Sequence, residues 1–581
     1  MKRIAALGLS AMLLGCSVPL GAPSASGPIN TCSSSTPCSE GAACVEGICV
    51  ATSFDLEGLL IEVRPHANAA FGAATSHIFD PTSAKIAVKS QGGAPFAAVM
   101  NPKLPAPAAI RHGVVRVNEA TPLGTGCSIG TDRAIPANIT FYRVAPYAGL
   151  PFNPISTSTG VNNEIDIDLV PDTYDVYIQP QVVEGCNEGK PFPPVYLPAQ
   201  PILMGGALIW DLPVVGTLTS TIKDFGDAID GPWKVDLIEA TRGLPVSANV
   251  VLQKLDPPEN GYVVKAQIEW PDGPTPILRL APAEPKLDEG ARPTAYWKID
   301  SMSGTKTNAV VHFTVAQLYT KPVEVNVNVL GSDDFTRIRA TFAVQSSELA
   351  GSNAKNATFA ITSLETDAQG VFSVFLPPGS YNFRATPVDN GLAITERTFS
   401  INGDASCFCG HPFPLTPKPA ISAAVKTPSG ERVSDAMVTV VPSLIPPRYF
   451  WKDAHQLAPM TARPATTTTS GDGNFILRID PGLADLVIPN DAGSNYPWLV
   501  RPRLSTSEDT ELGSLSIPYP AVLDGTVRDP NGMPVANAEV NAWFPIRDPD
   551  APNGLTGTVI KIATTQTDIN GNYRLLLPAS L

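Results

Sequence analysis

The chain has 581 residues, which suggests roughly four domains at about 150 residues per domain. Its 59 prolines and its low share of charged residues, 16%, favour short β-strands over long charged helices. The net charge of -14 argues against a nucleic-acid partner, because a strongly acidic chain offers no basic surface for phosphates.

The first residues predict an exported protein. Two basic residues, Lys2 and Arg3, precede an apolar run, Ile4 to Leu14. That run is too short to cross a bilayer core of about 30 Å as a helix. Residues 1–15 therefore predict a signal peptide, and residues 16–30, rich in Ser, Gly and Pro, predict a flexible tether.

The apolar run ends in "LLGC", which closes at Cys16 and resembles the lipobox of bacterial lipoproteins. The resemblance implies that Cys16 is acylated, becomes the mature N-terminus and anchors the protein, since several acyl chains on one residue hold stably to a membrane. Ser17, in place of Asp, implies the outer membrane by the sorting rule of such lipoproteins. The alternative is an ordinary signal peptide followed by an incidental cysteine.

The other eight cysteines predict disulfides. Residues 31–50 contain Cys32, Cys38, Cys44 and Cys49 in a segment too short to bury a core, so two disulfides would hold it together in an oxidising compartment. Three pairings are open. A zinc site is the alternative, but the segment has neither a C-x-x-C pair nor a histidine.

Four more cysteines lie in the main part of the chain. Cys127 and Cys186 are predicted to pair within one unit. Cys407 and Cys409 are separated by one residue, and a bridge between them would be strained, so each can also pair elsewhere. Their pairing stays open.

A two-part motif recurs along the chain at intervals of 97 to 109 residues. The prolines that open the copies are Pro107, Pro213, Pro322, Pro419 and Pro520. Such a period indicates an array of domains, because solenoid repeats are shorter. After a β-rich N-terminal segment, 51–103, we predict unit one (104–211), a diverged unit two (212–320), unit three (321–415), unit four (416–516) and an incomplete unit five (517–581).

The clearest copies have the pattern of an antiparallel β-sandwich. A strand, a turn such as "DPNG" and an alternating second strand are followed in them by a second turn, typically Asp-x-x-Gly, a third strand, a Pro-Gly corner and a fourth strand. The stretch "TDAQGVFSVFLPPGSYNFRATP", residues 366–387, is the clearest second half. The sequence therefore predicts an all-β fold, a tandem array of antiparallel Ig- or transthyretin-like sandwiches preceded by the disulfide module.

Three units carry a more specific pattern. Its residues are Gly525, Thr526, Val527, Asn531, Gly532, Pro534, Val535, Ala538, Val540, Thr567, Asp568, Gly571, Tyr573 and Leu575 in unit five, Thr366, Asp367, Gly370, Phe372, Pro378, Gly379 and Tyr381 in unit three, and Gly430, Val433, Ala436, Asp472, Gly473, Phe475, Pro481 and Gly482 in unit four. They resemble the carboxypeptidase regulatory-like family, which implies a transthyretin-like β-sandwich. Unit one matches weakly, and unit two lacks the Asp-x-x-Gly turn. The resemblance implies a fold and no activity.

The N-terminal segment and unit five are both unusual. "LLIEVRPHANAAF" in segment 51–103 has the pattern of a closing strand, but no first half precedes it. Unit five stops at "LLLPASL", where another corner and strand are expected. We favour a truncated chain, and the alternative is that the N-terminal segment covers the open edge of unit five.

No catalytic or metal-binding motif is present. The six histidines are scattered, and neither H-E-x-x-H nor G-x-S-x-G occurs. "DINGNY" and "GDGNF" look like pieces of calcium loops but supply two or three ligands at most, so they are interpreted as β-turns. The sequence predicts no enzyme, no cofactor and no metal.

The best candidate binding feature is "PPRYFWKDAH" in unit four, which contains Tyr449, Phe450 and Trp451. Sugar rings can stack on aromatic faces, and sandwich loops often hold such sites. "FYRVAPYAGLPF" in unit one and "WFPIRDPDAPNG" in unit five occupy corresponding places. The alternative is that these aromatic residues fill the core.

The sequence as a whole predicts a non-catalytic outer-membrane lipoprotein of the cell envelope. Its partners would be the membrane, through acylated Cys16, and a carbohydrate or protein ligand at the surface, with carbohydrate slightly favoured. One alternative is an accessory part of a surface hydrolase whose catalytic domain is absent from this chain. Another is a purely structural role.

Overall fold

Nearly all of the regular structure is β-strand, which confirms the all-β prediction. The computed structural model describes residues 29–52, 58–66, 76–80, 87–91, 94–160, 162–203, 205–223, 233–254, 261–269, 276–282, 291–299, 303–305, 308–313, 323–331, 336–349, 357–389, 391–402, 408–445, 457, 459–489, 494–548 and 556–579. A single turn of 3-10 helix, Asn187–Gly189, occurs within these ranges. None of the helices described there is long and apolar enough to cross a membrane.

The strands are numbered in chain order. Before unit one they are β1 (Ala42–Val45), β2 (Ile48–Ala51), β3 (Leu60–Arg64), β4 (His77–Phe79), β5 (Ala87–Gln91) and β6 (Ala94–Val99). Unit one contains β7 (Ala108–Arg116), β8 (Ala134–Ile135), β9 (Ala137–Arg143), β10 (Tyr147–Ala148), β11 (Ile155–Ser158), β12 (Glu164–Leu169), β13 (Asp172–Pro180), β14 (Val195–Ile202) and β15 (Ile209–Asp211).

The strands of units two and three follow. Unit two contains β16 (Val215–Lys223), β17 (Trp233–Ile238), β18 (Ser247–Lys254), β19 (Gly261–Glu269), β20 (Ile277–Pro282), β21 (Thr294–Lys298), β22 (Ser303–Thr305) and β23 (Asn308–Phe313). Unit three contains β24 (Val323–Leu330), β25 (Ala340–Leu349), β26 (Ala357–Glu365), β27 (Val371–Leu376), β28 (Gly379–Pro387), β29 (Thr395–Ile401) and β30 (Phe408–Pro414).

The last strands belong to units four and five. Unit four contains β31 (Ala420–Lys426), β32 (Met437–Pro442), β33 (Ala465–Thr468), β34 (Asn474–Arg478), β35 (Gly482–Ile488), β36 (Leu499–Thr506) and β37 (Thr510–Ser516). Unit five contains β38 (Pro520–Thr526), β39 (Glu539–Arg547), β40 (Gly557–Gln566) and β41 (Asn572–Pro578).

Unit four shows the sandwich in its simplest form. One sheet has the strand order β34-β31-β37 and the other β33-β32-β35-β36. Alternate residues point inward, so that Ile421, Val425, Val438, Val440 and Leu486 are buried between the sheets. The first strand, β31, pairs in parallel with the last strand, β37. The earlier units have the same parallel pairing, between β7 and β15, between β16 and β23, and between β24 and β30.

Units two and three share one sheet. Its seven strands run in the order β17-β20-β21-β26-β25-β28-β29, and β21 of unit two pairs antiparallel with β26 of unit three. Their apolar side chains form one core, in which Leu280 and Trp297 of unit two pack with Phe342 and Phe383 of unit three. The two units are therefore joined by main-chain hydrogen bonds and a common core.

Side chains of the recurrent motif hold its turns. The Thr366 hydroxyl accepts a hydrogen bond from the Ala340 N–H at 3.0 Å, which ties the Asp-x-x-Gly turn to the start of β25. Thr469 and Thr567 make the same contact in units four and five. Asp367 Oδ1 accepts two main-chain N–H groups across the turn, an arrangement typical of Asx turns.

A tyrosine explains the corner that follows this turn. The Tyr381 O–H donates to the Pro377 carbonyl oxygen at 2.8 Å, and the Tyr174 O–H donates to the Val170 carbonyl oxygen at 2.7 Å. Both side chains are buried, so the bond satisfies a hydroxyl group that would otherwise be costly to bury. The corner is thus fixed by a residue four positions along the chain.

The cysteine-rich module is a two-stranded hairpin, β1 and β2, stapled by Cys32–Cys44 and Cys38–Cys49. The predicted disulfides of this module are confirmed, with a pairing that the sequence left open. A third disulfide joins Cys127 to Cys186 in unit one. Cys407 and the side chain of Cys409 lie outside what the structure describes.

Candidate functional site at the junction of the N-terminal strands with unit five

The N-terminal strands complete the sandwich of unit five. β3 pairs antiparallel with β39, and β6 pairs in parallel with β38, which is the first-to-last pairing of the other units. The two sheets run β10-β40-β39-β3-β4 and β41-β38-β6-β5. The N-terminal segment thus covers edges that unit five leaves open, as one of the two interpretations of the sequence expected.

The two segments also share a core. Ile61 and Val63 on β3 are fully buried against Val540 and Ala542 on β39, and Ala98 on β6 packs in the same cluster. At roughly 1.5–3 kcal/mol for each buried large aliphatic side chain, these contacts supply much of the stability of the sandwich. Unit five and the N-terminal strands therefore form one folded body.

A buried carboxylate lies at the centre of this junction. Glu62 has no exposed surface, and its oxygens accept hydrogen bonds from Ser76 Oγ at 2.6 Å, Arg64 Nη2 at 3.0 Å, Asn541 Nδ2 at 3.0 Å and Trp543 Nε1 at 3.0 Å. Two donors come from the N-terminal strands and two from β39. The charge is thus compensated across the junction, which a buried carboxylate requires.

Glu62 is not among the site residues predicted from the sequence, although the sequence contains a signal for it. On β3 its side chain lies on the face opposite Ile61 and Val63, and on β39 the polar Asn541 and the indole of Trp543 alternate in the same way. A strand with one acidic residue and a second strand with two donors at alternate positions are complementary. Only the register shows that they are neighbours.

The cysteine-rich module covers the outer face of unit five. Val45 and Val50 pack on Ala97 and Val522, and all four are buried. Next to them, Arg574 donates to Glu46 Oε2 of the module at 2.8 Å.

The same guanidinium also holds a buried acid, since Arg574 Nε donates to Asp524 Oδ1 at 2.8 Å. On the other side of the module, the buried Asn30 side chain donates to the carbonyl oxygens of Cys49 and Asn495. The last residue of the predicted tether therefore bonds both the cysteine-rich module and unit four.

Unit one docks on the same body. Its strand β10 pairs in parallel with β40, with Tyr147 opposite Gly557. Leu60, Leu150 and Val559 are buried between the two units, and Tyr147, Phe152 and Trp543 pack around them. Of the aromatic residues that the sequence marked in units one and five, Tyr147, Phe152 and Trp543 lie at this interface, whereas Phe141 is buried in the core of unit one and Phe544 packs on the core of unit five.

Arg143 fastens unit one to the N-terminal strands. Its Nε donates to Asp172 Oδ2 at 2.5 Å, its Nη1 donates to the Ser76 carbonyl oxygen at 2.6 Å, and its guanidinium lies 4.1 Å above the Phe152 ring. The side chain is 12% exposed. A cavity of about 330 Å³ opens beside it, lined by Arg64, Ser76, Arg143, Pro151, Phe152, Asn153, Pro154, Ile155, Ser156, Val170 and Tyr174.

His77 is buried next to this cavity. Burial, and to a lesser extent the Arg143 charge, lowers the pKa of His77 to about 4. Neither ring nitrogen has a hydrogen-bond partner within the described ranges. Ser76 donates to Glu62 and not to His77, so these three residues do not form a nucleophile activated by a base.

A second, more open cleft of about 480 Å³ lies on unit five, lined by Val99, Asn101, Asp524, Gly525, Thr526, Thr565, Gln566, Asp568, Asn572, Tyr573 and Arg574. At its rim, Asp568 Oδ1 accepts the N–H groups of Asn570 and Asn572. The Asn572 N–H is the main cause that lowers the pKa of Asp568. This carboxylate therefore stabilises the turn in "DINGNY".

Several predicted site residues lie outside the described residues. Cys16 and the aromatic residues Tyr449, Phe450 and Trp451 are among them. Their roles stay predictions. Leu444, shortly before the aromatic stretch, lies close to Gly149, where an added β-carbon would meet Leu444 Cδ1 at 2.1 Å. The described start of that loop therefore lies against unit one.

No family model matches the chain, and no curated protein matches it. Among solved structures, the chain is similar to a streptococcal ancillary pilin, with 12% identity over 52% of this chain and 98% of the pilin and a TM-score of 0.21. It is also similar to the Bacillus anthracis TIE protein, with 12% identity, 70% and 74% coverage and a TM-score of 0.17. A minor pilin of Streptococcus agalactiae has 11% identity, 34% and 96% coverage and a TM-score of 0.19. Likeness at this level carries no argument about function.

Proposed function

We propose that the protein is a non-catalytic, lipid-anchored protein of the cell envelope whose β-sandwich repeats act as a spacer and as ligand-binding or adhesive modules. The observation that carries the proposal is the seven-stranded sheet that continues from unit two into unit three. A joint made of main-chain hydrogen bonds and a shared core resists bending, whereas ordinary domain linkers allow motion. Such a joint suits a protein that holds a surface in a fixed position.

Polar contacts stiffen the neighbouring joints. Between units three and four, Arg463 donates to both oxygens of the buried Asp480 and to the carbonyl oxygens of Pro387 and Leu392, while Asp480 accepts the Ile394 N–H.

Between units one and two, Arg242 Nη2 donates to Asp175 Oδ2 at 2.6 Å, and the side-chain amides of Asn187 and Gln267 bond each other. Directional bonds of this kind fix the angle between units more firmly than apolar contact alone.

The units are proposed to belong to the carboxypeptidase regulatory-like group. The side-chain contacts of Thr366, Thr469 and Thr567 support this, because they give the threonine before the turn one structural role in three units. A sandwich of this type hosts many functions. The proposed role therefore depends on the anchor and on the binding loops.

The anchor is tested by labelling cells with an alkyne fatty acid and measuring the mass of the N-terminal peptide. An acylated peptide that begins at Cys16 supports an outer-membrane lipoprotein, especially if the Cys16→Ala variant loses the label. An unmodified N-terminus in the membrane fraction would overturn the anchor.

The ligand-binding part is tested on a glycan array with the purified chain. Trp451→Ala removes an aromatic face and should abolish the signal, whereas Trp451→Phe keeps a face and should retain most of it. If Trp451→Ala retained as much signal as Trp451→Phe, a stacking role for this residue would be contradicted. Absence of any glycan signal would favour a protein ligand or a purely structural role.

A further inference from the structure

The cavity between unit one and the N-terminal strands has an unusual charge for this protein. The chain carries a net charge of -14, yet among the described residues the charged ones that line the cavity are Arg64 and Arg143. Their acidic partners, Glu62, Glu539 and Asp172, lie outside the lining. The cavity thus presents hydrogen-bond donors to a ligand while the site as a whole stays close to neutral.

Arg143 is held in a fixed orientation at the cavity wall. Arg143 Nε donates to Asp172 and Arg143 Nη1 donates to the Ser76 carbonyl oxygen, while the Phe152 ring packs against one face of the guanidinium. The N–H groups of Arg143 Nη2 have no hydrogen-bond partner within the described ranges. A donor whose geometry is fixed before binding loses little entropy when a ligand arrives, so it contributes more to affinity than a flexible one.

The rest of the lining suits the ring of a sugar. Pro151, Pro154 and Ile155 give apolar walls, and Asn153 and Ser156 add polar side chains. A volume of about 330 Å³ is near the lower limit for small-molecule sites, and such sites combine apolar walls with a few placed polar groups. A cavity of this size can accommodate one sugar residue.

We propose that this cavity binds a terminal sugar residue that carries a carboxylate, such as a uronic acid at the end of a glycan. The carboxylate would bond the Arg143 guanidinium, and the sugar ring would lie against the proline walls. A phosphate is disfavoured because both arginines are already paired with acids, which leaves no net positive charge for a dianion. This inference rests on the proposed ligand-binding function, but the residues that it names do not include Trp451.

The test uses the full chain, titrated with glucuronate, glucose and acetate by isothermal calorimetry or ligand-observed NMR. Glucuronate should bind, and glucose and acetate should bind at least about tenfold more weakly, since each lacks the carboxylate or the ring. Equal binding of glucose would overturn the carboxylate requirement. Equal binding of acetate or tighter binding of inorganic phosphate would reduce the cavity to a plain anion site and overturn the proposal.

Two matched tryptophan variants test whether glucuronate binds in this cavity. Asn153→Trp should fill the cavity and abolish glucuronate binding. Val182→Trp, on an exposed position of the same unit that does not line the cavity, should bind as the wild-type chain does. Equal melting temperatures show that both variants fold. If Asn153→Trp binds normally while Trp451→Ala loses glycan binding, the cavity proposal fails and the proposed function stands.

Discussion

Glu62 and Trp543 are separated by 481 residues, and the indole Nε1 of Trp543 donates a 3.0 Å hydrogen bond to the Glu62 carboxylate. This bond joins the N-terminal strands to unit five, and the cysteine-rich module packs on the body that results. The first strands of the chain are therefore part of its last sandwich. An anchor on Cys16 would hold the protein through this body.

Removal of the Glu62 carboxylate should destabilise the junction strongly. Glu62→Ala removes the carboxylate to which Ser76, the buried Asn541 and the partly buried Trp543 donate, and it leaves a cavity. We expect a loss of about 3–5 kcal/mol in the free energy of unfolding of unit five. Urea unfolding followed by hydrogen-exchange mass spectrometry of residues 58–66 measures it.

A matched control is Glu396→Ala, which removes a partly exposed carboxylate that pairs with Arg384. It should cost less than about 1 kcal/mol, because ion pairs near solvent contribute little. If both variants lost the same stability, the hydrogen bonds across the junction would not be what holds unit five together.

The part of the fold that the sequence predicts well depends on local contacts. The Asp-x-x-Gly turn and the corner before Tyr381 are stabilised within a few residues, so their residues can be read directly from "TDAQGVFSVFLPPGSY". Alternating strands such as β27 likewise show their buried face in the sequence. Repetition of this pattern gives the tandem array.

The junction could be stated only as an alternative, for a physical reason. Hydrophobic alternation shows that β3 and β38 have a face to bury, but it does not show which strand lies beside them. One of the two partners of β39, the strand β3, is more than 470 residues away, and the carboxylate of Glu62 looks like an ordinary exposed acid in the sequence. The cavity could not be predicted for the same reason, because Arg64 comes from the N-terminal strands and Phe152 from unit one.

Asp480 should make the joint between units three and four sensitive to acid. Burial alone would raise the pKa of Asp480, but hydrogen bonds from the Arg463 side chain and from the Ile394 and Arg463 N–H groups outweigh it and lower the pKa below its usual range. A lowered pKa means that the ionised carboxylate stabilises the joint above the unfolded pKa of about 3.9, and that this stability is lost as the pH falls through the lower folded value. Melting temperatures measured from pH 7 to pH 2 should show this loss at the acid end.

The variant Asp480→Asn should be less stable at pH 7 by about 1–3 kcal/mol and should lose the acid-dependent step. Asp472→Asn is the matched control, because Asp472 is 78% exposed and pairs only with an exposed arginine among its described contacts. It should leave both the stability and the pH profile unchanged. An unaltered acid step in Asp480→Asn would assign that step to another group.

His77 should add a separate dependence between pH 6.5 and pH 4. Because burial lowers the pKa of His77 to about 4, the unfolded chain binds a proton in this window and the folded chain does not. Stability therefore rises with pH, and protonation should cost the junction roughly 3 kcal/mol by pH 4. His77→Leu should remove this dependence, as measured by denaturant unfolding at pH 7, 5.5 and 4.5.

His112 gives a control of opposite sign. The hydrogen bond that His112 Nδ1 donates to the Glu164 carboxylate raises the pKa of His112, so its contribution is present below the unfolded pKa and is lost as the pH rises through the folded value. His112→Asn should therefore leave the loss of stability toward pH 4 in place. A profile that is the same in His77→Leu and in the wild-type chain would show that His77 is accessible to protons in the folded state.

A disulfide placed across the junction should form within one chain. Arg64 and Glu539 are direct partners in the antiparallel pair of β3 and β39, and both side chains are about one-third exposed. Opposite residues in such a pair have Cα atoms about 4.5–5.5 Å apart, which a disulfide can bridge. The double variant Arg64→Cys/Glu539→Cys should give a cross-linked peptide and a monomer on a non-reducing gel.

A mixture of ¹⁴N- and ¹⁵N-labelled chains, unfolded, refolded together and then oxidised, decides whether the strands come from the same copy. Cross-linked peptides of uniform isotope composition mean that each chain closes its own unit five. Peptides of mixed composition would mean that the N-terminal strands can be exchanged between copies, because unit five offers the same edges to either donor. The single variant Arg64→Cys should give neither product, which separates strand pairing from random oxidation.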